Sequence, residues 1–87
     1  MHIELVNKYS PSLIVLLAID NGTIVSYLIA EITVFNMRKL MHIHYLFTAP
    51  GYRQNGVATK MLNYIQDYAL ENNYSALSLT FDTYNKN

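Results

Sequence analysis

The hydrophobic period of this chain changes once, at Gly56, and that change limits the folds open to it. Before Gly56, apolar residues alternate or run in short β-branched blocks. After it, Val57, Ala58, Met61, Leu62, Ile65, Tyr68 and Ala69 fall on one stripe of a 3.6-residue period, with Thr59, Lys60, Asn63, Gln66 and Asp67 largely opposite. A chain with several strands and one amphipathic helix must lay that helix on a face of its sheet.

The strands are read from their boundaries. Residues 12–20 form a branched apolar run ending at Asn21-Gly22, a dipeptide suited to the type I′ hairpin turn, which needs positive φ at both central residues. A second strand over residues 23–35 is long, and a bulge or bend near Ala30-Glu31 is expected in it. Asn36 to Leu40 reads as a turn, and Met41 to Ala49 as a third strand. Strict alternation there puts His42, His44, Leu46 and Thr48 on one face and Ile43, Tyr45 and Phe47 on the other. Asn72-Asn73 suits a left-handed helix C-cap, and Leu77, Leu79 and Phe81 alternate as a further strand, taken to occupy residues 75–81. Residues 1–11 read as a short leading strand or an irregular arm. The predicted class is α/β with a mixed sheet (α+β), in the order β-β-β-α-β: an antiparallel meander plus one crossover helix. Residues 1–87 are expected to form a single domain.

Composition narrows the function classes. Six Lys+Arg balance six Asp+Glu, and the basic residues are scattered, which argues against a nucleic-acid partner. The absence of cysteine removes disulfides, thiolate zinc sites and Cys nucleophiles, and makes a reducing, cytoplasmic setting the expectation. No apolar run approaches the roughly 18 residues of a membrane helix, so no membrane partner is expected.

The segment able to carry chemistry is Leu46-Phe47-Thr48-Ala49-Pro50-Gly51-Tyr52-Arg53-Gln54-Asn55-Gly56-Val57-Ala58-Thr59: strand, turn, helix start. A helix start offers unpaired N–H groups and the positive end of the helix dipole to a phosphate, and Gly56 lets the backbone approach it. The alternative is that Gly56 relieves a tight loop and Arg53 is a solvated charge. Neither the ending of a Walker loop nor the three-glycine spacing of a dinucleotide fingerprint is present.

Arg53-Gln54-Asn55-Gly56-Val57-Ala58 resembles the Arg/Gln-x-x-Gly-x-Gly/Ala signature of the GNAT acyl-CoA N-acyltransferases. Its surroundings resemble that family too: the strand ending Leu46-Phe47-Thr48, the Pro50-x-Tyr52-Arg53 turn, the Met61-Leu62 helix, and the strand Leu77-x-Leu79-x-Phe81 leading to Asn85. The likeness spans residues 12–87 and is strongest over 41–85. It implies an enzyme that transfers an acetyl group from acetyl-CoA, or another acyl-CoA, to a primary amine of a small molecule or peptide by direct attack, without a metal. It also implies that the backbone from Gln54 through Thr59 holds the pyrophosphate, with Arg53 opening the loop and Asn85 in the cofactor set. The main chain of Phe47 and Thr48 would pair with the pantetheine arm, where the strand over 41–49 splays from that over 75–81. An N–H near Leu46 or Phe47 would polarise the thioester carbonyl.

Such a reaction needs a group that removes a proton from the ammonium, and His42 and His44 are the candidates. The run His42-Ile43-His44 is similar to the His-x-His strand of the arylalkylamine N-acetyltransferases. Alternatives are histidines satisfied in the packing or facing solvent, and a metal site that would lack a clear third ligand. Glu31 could assist as a base, bind a substrate ammonium, or be a strand-edge charge. Tyr64 and Tyr68, four apart on the helix, read as core or dimer contacts. Tyr84 does not match the family tyrosine that protonates the departing thiolate, which lies farther beyond the asparagine.

Two family parts have no counterpart in the chain: the helical pair between the first two strands, and everything beyond the strand over 75–81. The chain is therefore expected to be a compact transferase, a protein completed by a second chain, or a module that binds acyl-CoA without turnover. An exposed sheet edge at residues 75–81 favours a homodimer or a partner chain that covers it.

Overall fold

The computed structural model describes residues 1–6 and 10–80. Five strands and two helical segments follow in the order β1 (His2–Val6), β2 (Leu13–Asp20), β3 (Thr23–Phe35), β4 (Arg38–Thr48), a 3-10 turn (Pro50–Tyr52), α1 (Val57–Glu71) and β5 (Ala76–Leu79). They form one sheet in sequence order, antiparallel from β1 to β4 and parallel between β4 and β5. The predicted mixed class is observed, with the leading segment resolved as a fifth strand.

Local chemistry sets the connections. Asn21 and Gly22 adopt φ 51° and 77° at the β2–β3 turn, as the type I′ geometry requires. The β3–β4 turn is tighter than the sequence predicts, because Asn36 and Met37 alone make it, at φ 52° and 63°, and β4 already begins at Arg38. Asn73 takes the left-handed position after α1 at φ 63°. Its neighbour Tyr74 donates its N–H to the Ala69 carbonyl and closes the helix end.

The core lies between α1 and one face of the sheet. Ile14, Leu16 and Ala18 of β2, Leu28 and Ala30 of β3, and Met41 and Ile43 of β4 meet Val57, Met61, Ile65 and Ala69 of α1. The α1 residues recur every four positions, which is the stripe expected from the sequence. Leu13, Val15, Leu17 and Ile19 alternate onto the opposite face, where they are only half-buried.

Two register shifts interrupt the β3 pairings. Ala18 opposes Ser26 and Ile19 opposes Ile24, so Val25 is the extra residue on β3. Ile29 opposes Tyr45 while Ala30 opposes Ile43, so His44 is the extra residue on β4. A bulge does sit beside Ala30, but its unpaired residue belongs to the neighbouring strand. This corrects the face assignment for β4. Strict alternation fails at His44, so Leu46 and buried Thr48 join Met41 and Ile43 toward the core, while Tyr45 and Phe47 are exposed.

Candidate functional site

β4 and β5 part at the bulge. Their parallel pairing ends at Ile43 opposite Leu79, and the last rung is the Thr80 N–H donating to the Ile43 carbonyl at 3.2 Å. Beyond it, Tyr45 to Thr48 has no strand partner on the β5 side among the described residues. The peptide groups along this edge follow from the ladder. Lys39 and Ile43 turn their carbonyls to β5, whereas Tyr45 and Phe47 return to hydrogen-bonding positions opposite β3. Leu46 and Thr48 therefore turn their peptide groups toward the open edge. The Phe47 carbonyl faces β3, where it accepts the Ser26 hydroxyl at 2.7 Å, so the main-chain pairing with the pantetheine arm expected of Phe47 does not fit and falls to Leu46. Ser26 Oγ lies 3.1 Å from Thr48 Oγ1, and since Ser26 gives its hydrogen to Phe47, the Thr48 hydroxyl donates to Ser26 at the end of the strand.

The open edge leads into the loop before α1. Gly56 is the N-cap at φ 74°, ψ 15°, and no side chain caps the helix, so the N–H groups of its first turn remain free for a ligand. A Cβ built on Gly56 would meet nothing within 4 Å. Glycine is thus needed for its positive φ, and the space above it is open to a bulky anion. Arg53 is not a loose surface charge. Its Nε donates to the Thr48 carbonyl at 2.9 Å and its guanidinium lies 6.0 Å from the centre of the Phe47 ring, tying the loop to the strand end. Tyr52 anchors the other side, its hydroxyl donating to Asp20 at 2.9 Å. Hydrogen bonding to the Asp20 carboxylate, and the negative charge of that group, hold the Tyr52 phenol above its ordinary pKa.

The two histidines have different surroundings. His42 spans the fork with Nδ1 2.6 Å from Ser78 Oγ and Nε2 2.8 Å from Thr80 Oγ1, so both ring nitrogens are engaged. His44 sits on the bulge with Nε2 2.8 Å from Glu31 of β3, and both side chains reach solvent. The rings meet edge to face, their centres 4.8 Å apart. Among the described residues, no group of three His, Cys, Asp or Glu side chains could hold a metal ion. Gln54, Asn55, Ala58 and Thr59 lie in or just after the loop, where the sequence places them; Asn85 and Tyr84 lie outside the described residues. The sequence reading missed the roles of Ser78 and Thr80. Their hydroxyls are ordinary strand residues until the register of β5 against His42 is known.

The acetyltransferase (GNAT) family profile matches residues 2–87, nearly the whole chain. The chain belongs to the GNAT family. No curated protein matches it. Among solved structures, an aminoglycoside acetyltransferase from an uncultured soil metagenomic sample superposes with a TM-score of 0.78 at 25% identity, over 86% of this chain and 51% of that one. Ribosomal-protein-alanine N-acetyltransferase from Brucella melitensis biovar Abortus 2308 gives a TM-score of 0.79 at 18% identity, covering 86% of this chain and 55% of its own. An aminoglycoside N-acetyltransferase in complex with CoA gives 0.78 at 16% identity, over 97% and 81%. The chain spans about half the length of the first two. No helix among the described residues is long and apolar enough to cross a membrane.

Proposed function

We propose that this chain is one acyl-CoA-binding domain over residues 1–87 that transfers an acetyl group from acetyl-CoA to a primary amine, with His44 as the base. The observation that carries this reading is the fork at His44, where an open β4 edge runs directly into a helix start capped by Gly56.

Each element has a defined task in it. The N–H groups from Gln54 through Thr59 take the pyrophosphate, Asn55 excepted because its N–H donates to the Tyr52 carbonyl, and the unused nitrogens of Arg53 add charge beside it. The Leu46 peptide group and the Thr48 N–H take the pantetheine arm as an added strand, the Thr48 carbonyl being held by Arg53, and the Leu46 N–H is placed to polarise the thioester carbonyl. Phe47 flanks the arm with its side chain, and Asn85 completes the set by resemblance. Bound acetyl-CoA supplies the activated carbonyl that the amine attacks. His44, exposed on the far side of the sheet from α1, takes the ammonium proton. His42, with both nitrogens held, fixes the width of the fork.

A second reading, acyl-CoA binding without turnover, is favoured by the share of the relatives that the chain spans, about half of each. β5 is an outer strand of the described sheet, and a second copy or a partner chain covering it would complete either version. A cytoplasmic setting, where acyl-CoA is made and used, suits both.

Titration calorimetry with acetyl-CoA and CoA tests the shared claim: saturable binding is expected, and folded protein that binds neither at millimolar ligand overturns both readings. Thiol release over a panel of small amines, polyamines and peptide amino termini separates them.

A further inference from the structure

We infer that Glu31 is the positioning residue of His44 and that Nδ1, not Nε2, is the ring atom that accepts the amine proton; the second half of this inference rests on the transferase reading above.

Ionised Glu31 can only accept hydrogen bonds, and it lies 2.8 Å from His44 Nε2. A neutral imidazole in that contact must carry its hydrogen on Nε2. Its lone pair is then on Nδ1, for which no hydrogen-bond partner is found among the described residues. The carboxylate therefore sets the tautomer and aims the basic nitrogen away from β3. When Nδ1 takes a proton from the incoming ammonium, the amine is left neutral with its lone pair free. The imidazolium that forms keeps its Nε2–H on Glu31.

The register gives Glu31 two histidine neighbours: His42 stands directly opposite it, and His44, the extra residue of the bulge, lies on the diagonal. His42 instead faces Ser78 and Thr80 across the fork, while the extra residue at position 44 reaches back to Glu31. One histidine is thus committed to holding the strands and the other to Glu31, although only one residue separates them in sequence. Lys39, the nearest basic residue before them on β4, lies over the Tyr74 ring and does not compete for the carboxylate.

Ring-nitrogen NMR of the full chain near pH 8 tests the pairing without any need for turnover. His44 signals, assigned by their loss in His44→Gln, are expected to show a single Nε2–H tautomer in the wild type. Glu31→Ala should give the averaged shifts of a mixed population. Steady-state thiol release, with acetyl-CoA and whichever panel amine turns over, tests the role. Glu31→Ala is expected to lower kcat about tenfold or more with the Kd for acetyl-CoA unchanged, and Glu31→Asp to restore part of it. A wild-type His44 in the Nδ1–H tautomer, or an unchanged kcat in Glu31→Ala, overturns the inference. Absence of turnover in the wild type removes the transferase reading, and the tautomer then decides the pairing alone.

Discussion

His42 and His44 are a pair that composition and spacing treat alike and the backbone does not. Both are strand histidines two apart, so alternation assigns them one face and one role. The bulge separates them, because as the extra residue on β4 His44 has no ladder partner on β3, and every residue after it shifts to the other face. His42→Ala is expected to remove the contacts to Ser78 and Thr80 and to cost roughly 1–3 kcal/mol in urea unfolding, since a typical hydrogen bond contributes roughly 0.5–1.5 kcal/mol. Its effect on turnover should come through a weaker Kd for CoA. His44→Ala is expected to leave stability and CoA affinity near wild type while lowering kcat roughly 100-fold or more, the usual scale of a lost general base. If the two variants lower kcat equally at saturating acetyl-CoA, the division of roles is wrong. The loop residues were legible because a glycine stands where the apolar period changes from strand to helix; the positive φ that Gly56 adopts there was not. The hydroxyl partners of His42 were not, because their sequence separation from it is 36 and 38 residues.

At the scale of elements, the two hairpins show where sequence chemistry is sufficient. Asn21-Gly22 announces its turn because both residues tolerate the left-handed region. Asn36-Met37 adopts a turn of the same kind without announcing it, because methionine gains nothing from positive φ. Met37 is 98% exposed, so its side chain has no contact to offset that strain. Met37→Gly is therefore expected to raise stability by up to about 1 kcal/mol, seen as a higher urea midpoint with an unchanged slope; a lower midpoint would mean that the turn is held by something other than its backbone preference. The 3-10 turn has a pH signature instead. Because the Tyr52 phenol is raised in the folded chain, its stabilising effect is complete below the unfolded value of about 10 and is lost as pH climbs through the folded value. Thermal unfolding of wild type and Tyr52→Phe should consequently diverge at neutral pH and converge in strong alkali. A gap that persists unchanged above that range would show that packing, rather than the bond to Asp20, distinguishes them.

For the whole molecule, the helix and its sheet bury one continuous core, while the other sheet face carries half-buried Val15, Leu17 and Ile19 beside exposed Tyr27, Tyr45 and Phe47. The mixed sheet with one helix was readable from the change of period at Gly56, since each element needed only local pattern. The point of divergence between β4 and β5 was not, because it depends on a register shared by three strands. A domain of this size has a small stability margin, so a ligand that spans the fork should register strongly on global unfolding. Acetyl-CoA at 100 times its Kd adds about 2.7 kcal/mol by mass action, which for a chain of this length corresponds to a rise in Tm of roughly 10–20 °C. Gly56→Glu should abolish that rise, because the new side chain brings negative charge and backbone strain to the seat proposed for the pyrophosphate. The comparison is informative only as a difference: Gly56→Glu will have a lower Tm without ligand, and the ligand-induced increment is the quantity that must vanish. An increment equal to that of wild type would place acyl-CoA somewhere other than the α1 start.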